Sequence, residues 1–270
     1  MNKLILVLLF IGNALYANSS IFFRNRGENV ATLKQEQLLQ KVKSQKITIF
    51  EPHEEKKVQY RVISMRKLLD DVYGESWKKA EEILFTCSDG YQPTIPVSKF
   101  KKYDAYLAYG RVDSKFEVFY KLKNTTVALG PYYLVWDNQK NKDLRKTGDV
   151  GFPFQIVGMD LVRIADRFPK LAPPAKHSKS VARGFIAFRK YCMTCHTING
   201  SGGKIGPELN EPVSVTLYFK ERWLKRWIDN PLSIRKGSKM PGIPEGIPNR
   251  KQTIEDIIEY LKAMRRPQKG

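Results

Sequence analysis

The chain has 270 residues and a formal net charge of +20 at pH 7, from 47 Lys and Arg against 27 Asp and Glu. This length suffices for two domains with separate hydrophobic cores. The basic residues occur in both halves, so the charge favours acidic redox partners or an anionic membrane surface, although an ordinary solvated basic surface explains it equally well. No recognised nucleic-acid-binding motif is present, and we expect no nucleic-acid partner.

The N-terminus has the pattern of a secretory signal peptide. Lys3 precedes an apolar run from Leu4 to Ile11, and the small residue Ala17 follows before the sequence becomes polar. This order predicts a signal peptide over 1–17, cut after Ala17, and a mature protein in the periplasm. An uncleaved membrane anchor is the alternative, although the apolar run is short for a membrane span.

The next part, residues 18–170, is expected to form an α+β domain with a mixed sheet, because apolar stretches typical of strands alternate with one or two helical patterns. Helices are predicted over 31–42 and 62–72. Strands are predicted at 47–50, 58–62, 83–87, 94–97, 106–109, 116–122, 132–136 and 156–164.

A linker over 171–179 is predicted to separate this domain from an all-α domain over 180–268. The consecutive prolines Pro173 and Pro174 stop regular structure and stiffen the connection. Beyond the linker, apolar residues recur at helical spacing over 180–191, 213–229 and 252–266, which predicts three main helices. The expected fold class is therefore multidomain, with α+β followed by all-α.

One pentapeptide in the second domain points to a specific cofactor. Cys192 and Cys195 are three positions apart, and His196 follows directly. Two thiols at this spacing can form thioether bonds to a haem, while the imidazole binds the iron. The spacing predicts one covalent haem c, attached at Cys192 and Cys195, with His196 as an iron ligand.

Other uses of such a pair are a redox dithiol, half of a zinc site or a structural disulfide. A zinc site needs further ligands, but only Cys87, His53 and His177 occur elsewhere, and they form no second ligand pair. A redox dithiol usually follows a strand in a βαβ unit, whereas this motif lies in a helical stretch.

The second axial ligand of the iron is predicted to be Met240. A thioether opposite an imidazole is a common ligand pair in electron-transfer haems. Met240 lies in a predicted loop between two helices, before Pro241. Met193 lies inside the attachment loop beside His196, and Met264 belongs to the last helix, so both are weaker candidates.

These residues resemble those of class I cytochromes c, in which a Met-Pro pair in such a loop supplies the distal ligand. The segment Gly206–Leu209 resembles the proline turn of that family. The resemblance implies that the Pro207 carbonyl fixes the His196 ring, and that Leu209 lies in the haem pocket. It covers about the last third of the chain.

Two further segments carry the same resemblance. Trp227 lies in a segment similar to the middle helix of the family, which implies a place in the haem pocket. Trp223 is close by, and simple core packing explains it equally well. Gly184 and Phe188 match the pair in the first helix that lets the terminal helix approach closely.

The front domain resembles the molybdopterin-binding domain of the sulfite oxidase type, at 85–91, 95–97 and 130–136 and in the strand that ends at Ile164. In that family a cysteine thiolate ligates molybdenum, which implies Cys87 here. However, the domain is short, and the Arg and His residues that hold the pterin phosphate are not apparent. No twin-arginine signal precedes the apolar run. We therefore expect a molybdopterin-binding-like domain without its cofactor.

The leading hypothesis is a periplasmic monohaem c-type cytochrome that passes single electrons between redox proteins, with no catalytic residue. The alternative is a molybdenum-dependent oxidoreductase of a small oxyanion, with the haem domain as its electron outlet. A third hypothesis is a haem sensor or peroxidase-like protein in which Met240 leaves the iron.

Overall fold

The computed structural model describes residues 19–120 and 124–265, so the predicted signal peptide over 1–17 lies outside the described residues. Over the described ranges, no helix combines the length and the apolar character needed to cross a membrane.

The strands are β1 (Ser20–Asn25), β2 (Glu28–Lys34), β3 (Gln45–Glu51), β4 (Lys56–Ser64), β5 (Glu82–Cys87), β6 (Thr94–Pro96), β7 (Ala105–Arg111), β8 (Glu117–Tyr120), β9 (Thr125–Ala128), β10 (Tyr133–Trp136), β11 (Ile156–Val162), β12 (Thr197–Ile198) and β13 (Ser201–Gly202).

Short helices connect the strands of the front domain, and longer helices form the second domain. The helices are α1 (Gln35–Lys41), α2 (Met65–Tyr73), α3 (Ser76–Lys79), α4 (Val97–Lys102), α5 (Ile164–Arg167), α6 (Lys179–Tyr191), α7 (Val215–Tyr218), α8 (Glu221–Asp229) and α9 (Arg250–Ala263). A β-rich N-terminal region is thus followed by a helical C-terminal region, as the sequence predicts.

Two sheets build the front domain. The first has the strand order β2-β1-β11-β5-β6, in which β1 and β11 run parallel and the other neighbours run antiparallel. The second has the order β10-β7-β4-β3 and is antiparallel throughout, and β8 and β9 form a separate hairpin. The apolar faces of both sheets enclose one core that contains Trp77, Phe85 and Trp136. The domain therefore has the mixed sheet expected from the sequence.

Three helix predictions need correction. The predicted helix over 31–42 begins as strand β2, where Ala31 and Leu33 face the core with a period of two and pair with β1. The predicted helix over 62–72 begins later, because β4 continues to Ser64, whose side chain accepts a hydrogen bond from the Lys67 backbone at the helix N-terminus. The predicted helix over 213–229 is interrupted at Phe219, where the backbone is extended.

Helices α6 and α9 form the centre of the second domain, and both predicted helices are present with small shifts at their ends. Phe188 and Tyr260 are fully buried, with ring centroids 5.2 Å apart. Gly184 lies at the closest approach, because a Cβ placed there would be 1.9 Å from the Asp256 carbonyl oxygen. The Asp256 carboxylate, which is buried, accepts hydrogen bonds from Arg183 at 2.6 and 2.8 Å. These contacts fix the two helices together.

The two domains share a packed boundary. Leu84 and Val162 of the first sheet belong to the same hydrophobic cluster as Phe188. Leu171, where the predicted linker over 171–179 begins, is buried in that cluster, and its carbonyl accepts a hydrogen bond from Tyr260 Oη at 2.8 Å. Neither helix nor strand is assigned over 172–178. The second domain therefore packs against the first rather than extending from it on a free tether.

The substitution Gly184→Ala is expected to destabilise the protein by about 3 kcal/mol, because the new methyl group overlaps the backbone of α9. At an exposed position in a helix, by contrast, replacing Gly by Ala stabilises a protein by about 1 kcal/mol. Chemical denaturation followed by circular dichroism measures the difference. Ile186→Ala, at an exposed position of the same helix, should shift stability by about 0.5 kcal/mol or less. A gain in stability for Gly184→Ala would refute the close approach.

Lys99 is a cationic side chain that lies largely out of water near the domain boundary. Its Nζ lies 4.2 Å from the centre of the Trp136 ring, and a Cβ at Gly151 would be 2.9 Å from Nζ. Burial, with a smaller contribution from Lys190, lowers the pKa of Lys99 to about 8. Protonation of the Lys99 amine is less favourable in the folded state than in the unfolded state. The charged ammonium form therefore destabilises the fold at pH values below this pKa.

Replacing Lys99 by Met should therefore raise stability at pH 7 by about 2 kcal/mol, after allowance for the lost cation–π contact. The lowered pKa means that the wild type carries the full penalty below about pH 8 and loses it as the pH rises towards 10.5. The difference in unfolding free energy between Lys99→Met and the wild type, measured by urea denaturation, should therefore disappear as the pH rises from about 8 towards 10.5. Lys102→Met, at an exposed position of the same helix, is the control. A variant that loses stability at pH 7 would contradict this account.

Candidate functional site

The Cys-rich pentapeptide forms a tight turn at the end of α6. Cys192 is the C-terminal cap of the helix, and its backbone N–H donates to the Phe188 carbonyl. The backbone N–H groups of Cys195 and His196 both donate to the Cys192 carbonyl, at 3.0 and 2.9 Å. This single turn therefore presents two thiols and one imidazole from adjacent positions.

The following loop is anchored to the pentapeptide by backbone hydrogen bonds. Gly203 N donates to the Met193 carbonyl at 2.8 Å, and Gly206 N donates to the Cys195 carbonyl at 2.7 Å. Gly206 also lies against the imidazole, where a Cβ would be 2.4 Å from His196 Cε1. Glycine is required at this position because any side chain would displace the ring.

The imidazole of His196 is held in one orientation by the backbone. His196 is buried, and its Nδ1 lies 2.8 Å from the Pro207 carbonyl oxygen. A carbonyl can only accept, so Nδ1 carries the proton and Nε2 has a free lone pair. Burial lowers the pKa of His196, although the hydrogen bond to Pro207 opposes this effect. The ring is therefore a neutral imidazole with Nε2 ready to bind a metal ion.

Glu208 holds the loop that carries Pro207, a role that the sequence did not reveal. Its carboxylate accepts backbone hydrogen bonds from Asn199, Gly200 and Asn210 at 2.9, 3.0 and 3.0 Å. Burial acts to raise the pKa of Glu208, but these hydrogen bonds and one from Thr197 hold it below its usual value. Only a structure could show these contacts, because the partners are backbone groups.

The two thiols lack the features of a redox dithiol. Burial, with a contribution from Cys195, raises the pKa of Cys192 to about 12, whereas reactive dithiols have a lowered pKa. The pair also follows a helix rather than a strand. None of the three cysteines in the described residues forms a disulfide bond. Within the same ranges, no group of three or more His, Cys, Asp or Glu residues has an arrangement that could hold a metal ion.

The other predicted haem residues occupy the surrounding loops and helices. Leu209 is half-buried, and its backbone bridges Thr197 and Val215 through hydrogen bonds of 3.0 and 2.8 Å. Trp227 is half-buried in α8, with its ring centroid 6.3 Å from that of Phe219.

Met240 lies half-buried in the loop between α8 and α9. This loop is tied back to α8, because Ile243 N donates to the Ile228 carbonyl at 3.1 Å. Met193 and Met264 are both buried in the second hydrophobic cluster. Of the three candidate methionines, Met240 is therefore the one that lies outside the core, and its role as an iron ligand stays a prediction.

Apolar surface is concentrated in the second domain. Within the described ranges, most of the large hydrophobic residues with high exposure lie there: Ile186, Ile205, Val213, Leu217, Tyr218, Trp223, Leu232 and Ile234. This exposed apolar surface is available for contact with a nonpolar cofactor or a partner protein. Together with two thiols, a neutral imidazole and a loop methionine, it fits a haem in its chemistry.

Two comparisons relate the second domain to known proteins. Residues 181–265 match the family model described as Cytochrome c. The chain is also similar to cytochrome c oxidase subunit 2 of Alkalihalophilus pseudofirmus, with 28% identity over 79 residues, which cover 27% of this chain and 22% of that protein. The chain thus matches about a fifth of the length of this curated relative. Residues 181–265, about the last third of the chain, are therefore similar to the cytochrome c family.

The front domain has no comparable support for a molybdenum site, and its resemblance to the sulfite oxidase type stays a prediction. Cys87 lies at the end of β5 and is buried. Burial, with a contribution from Asp89, raises the pKa of the Cys87 thiol well above its usual value. The metal-free Cys87 thiol is therefore protonated, and its role as a molybdenum ligand stays a prediction.

The substitution Glu208→Gln should destabilise the protein by about 2 kcal/mol at pH 7, because a neutral amide is a weaker acceptor for the three backbone groups. The lowered pKa of Glu208 implies that its stabilisation is present above pH 4.5 and is lost as the pH falls through the folded-state value. The unfolding free energies of Glu208→Gln and the wild type should therefore become equal at acidic pH. Glu245→Gln, at an exposed position, should change little. Equal stability of Glu208→Gln and the wild type at pH 7 would be the contrary result.

Proposed function

We propose that the protein is a periplasmic monohaem c-type cytochrome that passes single electrons between redox proteins. The observation that carries the proposal is the fixed His196 ring, which presents the Nε2 lone pair in the same turn as two half-buried thiols. The family match over 181–265 supports the assignment independently of this geometry. When bound, the haem iron would supply a one-electron ferric/ferrous couple.

The residues of the site have separate roles in this proposal. Cys192 and Cys195 would hold the haem through thioether bonds, and His196 and Met240 would be the ligands of its iron. The Pro207 carbonyl keeps the His196 ring from rotating and increases the electron density on the imidazole. Leu209 and Trp227 exclude water from the pocket, which with the ligand pair would set the reduction potential.

The proposed partners are periplasmic redox proteins with acidic docking surfaces. Trp223 is 39% exposed, and the guanidinium groups of Arg222 and Arg226 lie 5.5 and 4.8 Å from its ring centre. An exposed aromatic ring between two cations suits an acidic protein surface or an anionic membrane surface. The relative named above is an oxidase subunit, and this chain is proposed only to exchange electrons with such proteins.

A molybdenum-dependent oxidoreductase is the second candidate, and the buried, protonated environment of Cys87 makes it weaker. Elemental analysis of protein from its native host distinguishes the two candidates. Iron alone supports the electron carrier, whereas molybdenum near one equivalent per chain supports the enzyme.

The visible spectrum of the ferric protein tests the ligand pair. Ferric haem with His and Met ligands has a weak charge-transfer band in the far red, and Met240→Ala should abolish this band while the haem stays attached. The spectrum of Met264→Leu should keep the band, because Met264 packs in the core. A band that persists in Met240→Ala would exclude Met240 as the ligand. A wild-type ferric spectrum of a five-coordinate haem would instead support a sensor or peroxidase-like protein.

A further inference from the structure

The loop that carries Met240 lies between two residues that are bonded to each other. It spans 230–249, between Asp229, the last residue of α8, and Arg250, the first residue of α9. Arg250 Nη1 donates a hydrogen bond to the Asp229 carboxylate, and Arg250 Nη2 donates to the Asp229 backbone carbonyl at 2.7 Å. One guanidinium group therefore closes the loop at its base.

The same guanidinium group also holds the segment that follows Met240. Arg250 Nε and Nη2 donate to the Ile243 carbonyl oxygen at 3.0 and 2.9 Å. Arginine can bind a carboxylate and two carbonyl oxygens at once, because its N–H donors point outwards from one rigid plane. Arg250 thus links the end of α8, the start of α9 and the loop between them.

Two further contacts fix this segment of the loop to α8. The backbone N–H of Ile243 donates to the Ile228 carbonyl at 3.1 Å. Gly242 lies so close to the helix end that a Cβ at this position would overlap the Asp229 carbonyl. Because Gly242 is only two positions from Met240, these contacts restrict where the methionine can lie relative to α8.

Helix stability does not explain the presence of Arg250 at this position. The N-terminus of an α-helix carries a partial positive charge, so a cation in the first turn is unfavourable. The first turn of α9 contains no acidic residue, and the side chain of its N-cap, Asn249, forms no capping hydrogen bond. The contacts of Arg250 with Asp229 and Ile243 offset this unfavourable charge, which points to a role in the loop.

The proposed role of Met240 makes the closure of the loop important. A thioether is a neutral ligand, and it stays beside a metal ion only while the loop that carries it is closed. Loops open locally at a lower free-energy cost than the whole fold, and contacts made only in the closed state reduce the open population. The hydrogen bonds from Arg250 to Ile243 join a helix to the loop and are contacts of this kind.

We propose that Arg250 is a positioning residue that keeps Met240 at the haem iron, an inference that rests on the proposed function. Arg250, Asp229 and the Ile243 carbonyl form a clamp that keeps the loop closed. The closed loop prevents small external ligands from replacing Met240. The clamp thereby favours an electron carrier over a sensor or peroxidase-like protein, in which Met240 would leave the iron.

Binding of imidazole to the ferric, haem-loaded full chain measures how often the loop is open. Imidazole competes with Met240 for the iron, so its apparent dissociation constant falls as the open fraction rises. Arg250→Gln should lower this constant about tenfold or more, because hydrogen bonds from a charged donor are lost. It should also weaken the far-red charge-transfer band in the absence of imidazole.

Two other substitutions of basic residues show whether the geometry or the charge is responsible. Arg250→Lys keeps the charge beside Asp229 but lacks the planar fork, so its dissociation constant for imidazole should lie between those of the wild type and Arg250→Gln. Lys251→Gln is the matched control, because it removes the same charge at the next position, which is exposed. Its dissociation constant should equal that of the wild type.

Gly242→Ala tests the clamp without a change of charge. The new methyl group would displace the loop from the Asp229 carbonyl, so this variant should also bind imidazole more tightly than the wild type. If Arg250→Gln fails to fold by circular dichroism, Arg250→Lys and Gly242→Ala decide. Unchanged imidazole affinity in both would refute the clamp.

The outcomes separate this proposal from the proposed function. A wild-type protein without attached haem, or without the far-red band, would refute the proposed function or its ligand pair. If the wild type has the band and Arg250→Gln binds imidazole as weakly as the wild type, only the clamp is refuted. This holds even if Arg250→Gln unfolds at a lower urea concentration, because a purely structural residue would have that effect. An equal change in Lys251→Gln and Arg250→Gln would also refute the clamp, since net charge would explain both.

Discussion

The hydrogen bond between His196 Nδ1 and the Pro207 carbonyl is the constraint on which the rest of the site depends. It fixes the tautomer, so that Nε2 is the nitrogen available to iron, and it fixes the plane of the ring. Two features of the loop make the bond feasible. Gly206 lets the backbone lie against the ring, and Glu208 gathers three backbone N–H groups that hold the loop in position. The attachment turn, by contrast, needs only local hydrogen bonds at the end of α6.

The front domain contributes to the environment of this site through contacts that span both domains. Arg189, at the end of α6, forms an ion pair with the buried Glu82 of β5, and Leu84 of the same strand packs into the helical core. Tyr91 follows β5 and lies beside the attachment turn. Strand β5 and the loop after it therefore form one side of the boundary. The front domain is therefore in a position to influence the polarity around the attachment turn and its exposure to solvent.

Local signals in the sequence predict two helices correctly, because the apolar periodicity of α6 and α9 gives their positions to within a few residues. The spacing of Cys192, Cys195 and His196 is equally local and predicts a haem, which the family match over 181–265 supports, while covalent attachment stays a prediction. Sequence reasoning failed at 31–42, where a short strand runs directly into a short helix and the apolar residues fit both periods. The buried hydrogen bonds from Tyr60 Oη and Tyr133 Oη to the Glu51 carboxylate were not predicted, because Glu51 and Tyr133 are 82 positions apart in the chain. Such long-range contacts leave no periodic pattern in the sequence.

The central claim is that a haem is bound covalently through Cys192 and Cys195, and the intact mass of the purified protein tests it most directly. The account predicts that the mature chain carries the added mass of one haem, and that this mass and the colour remain with the protein after extraction with acidified acetone. The variant in which both cysteines are replaced by Ala should lack the added mass. A wild-type chain with the mass of the polypeptide alone, produced in a host with an intact haem-attachment system, would contradict the account.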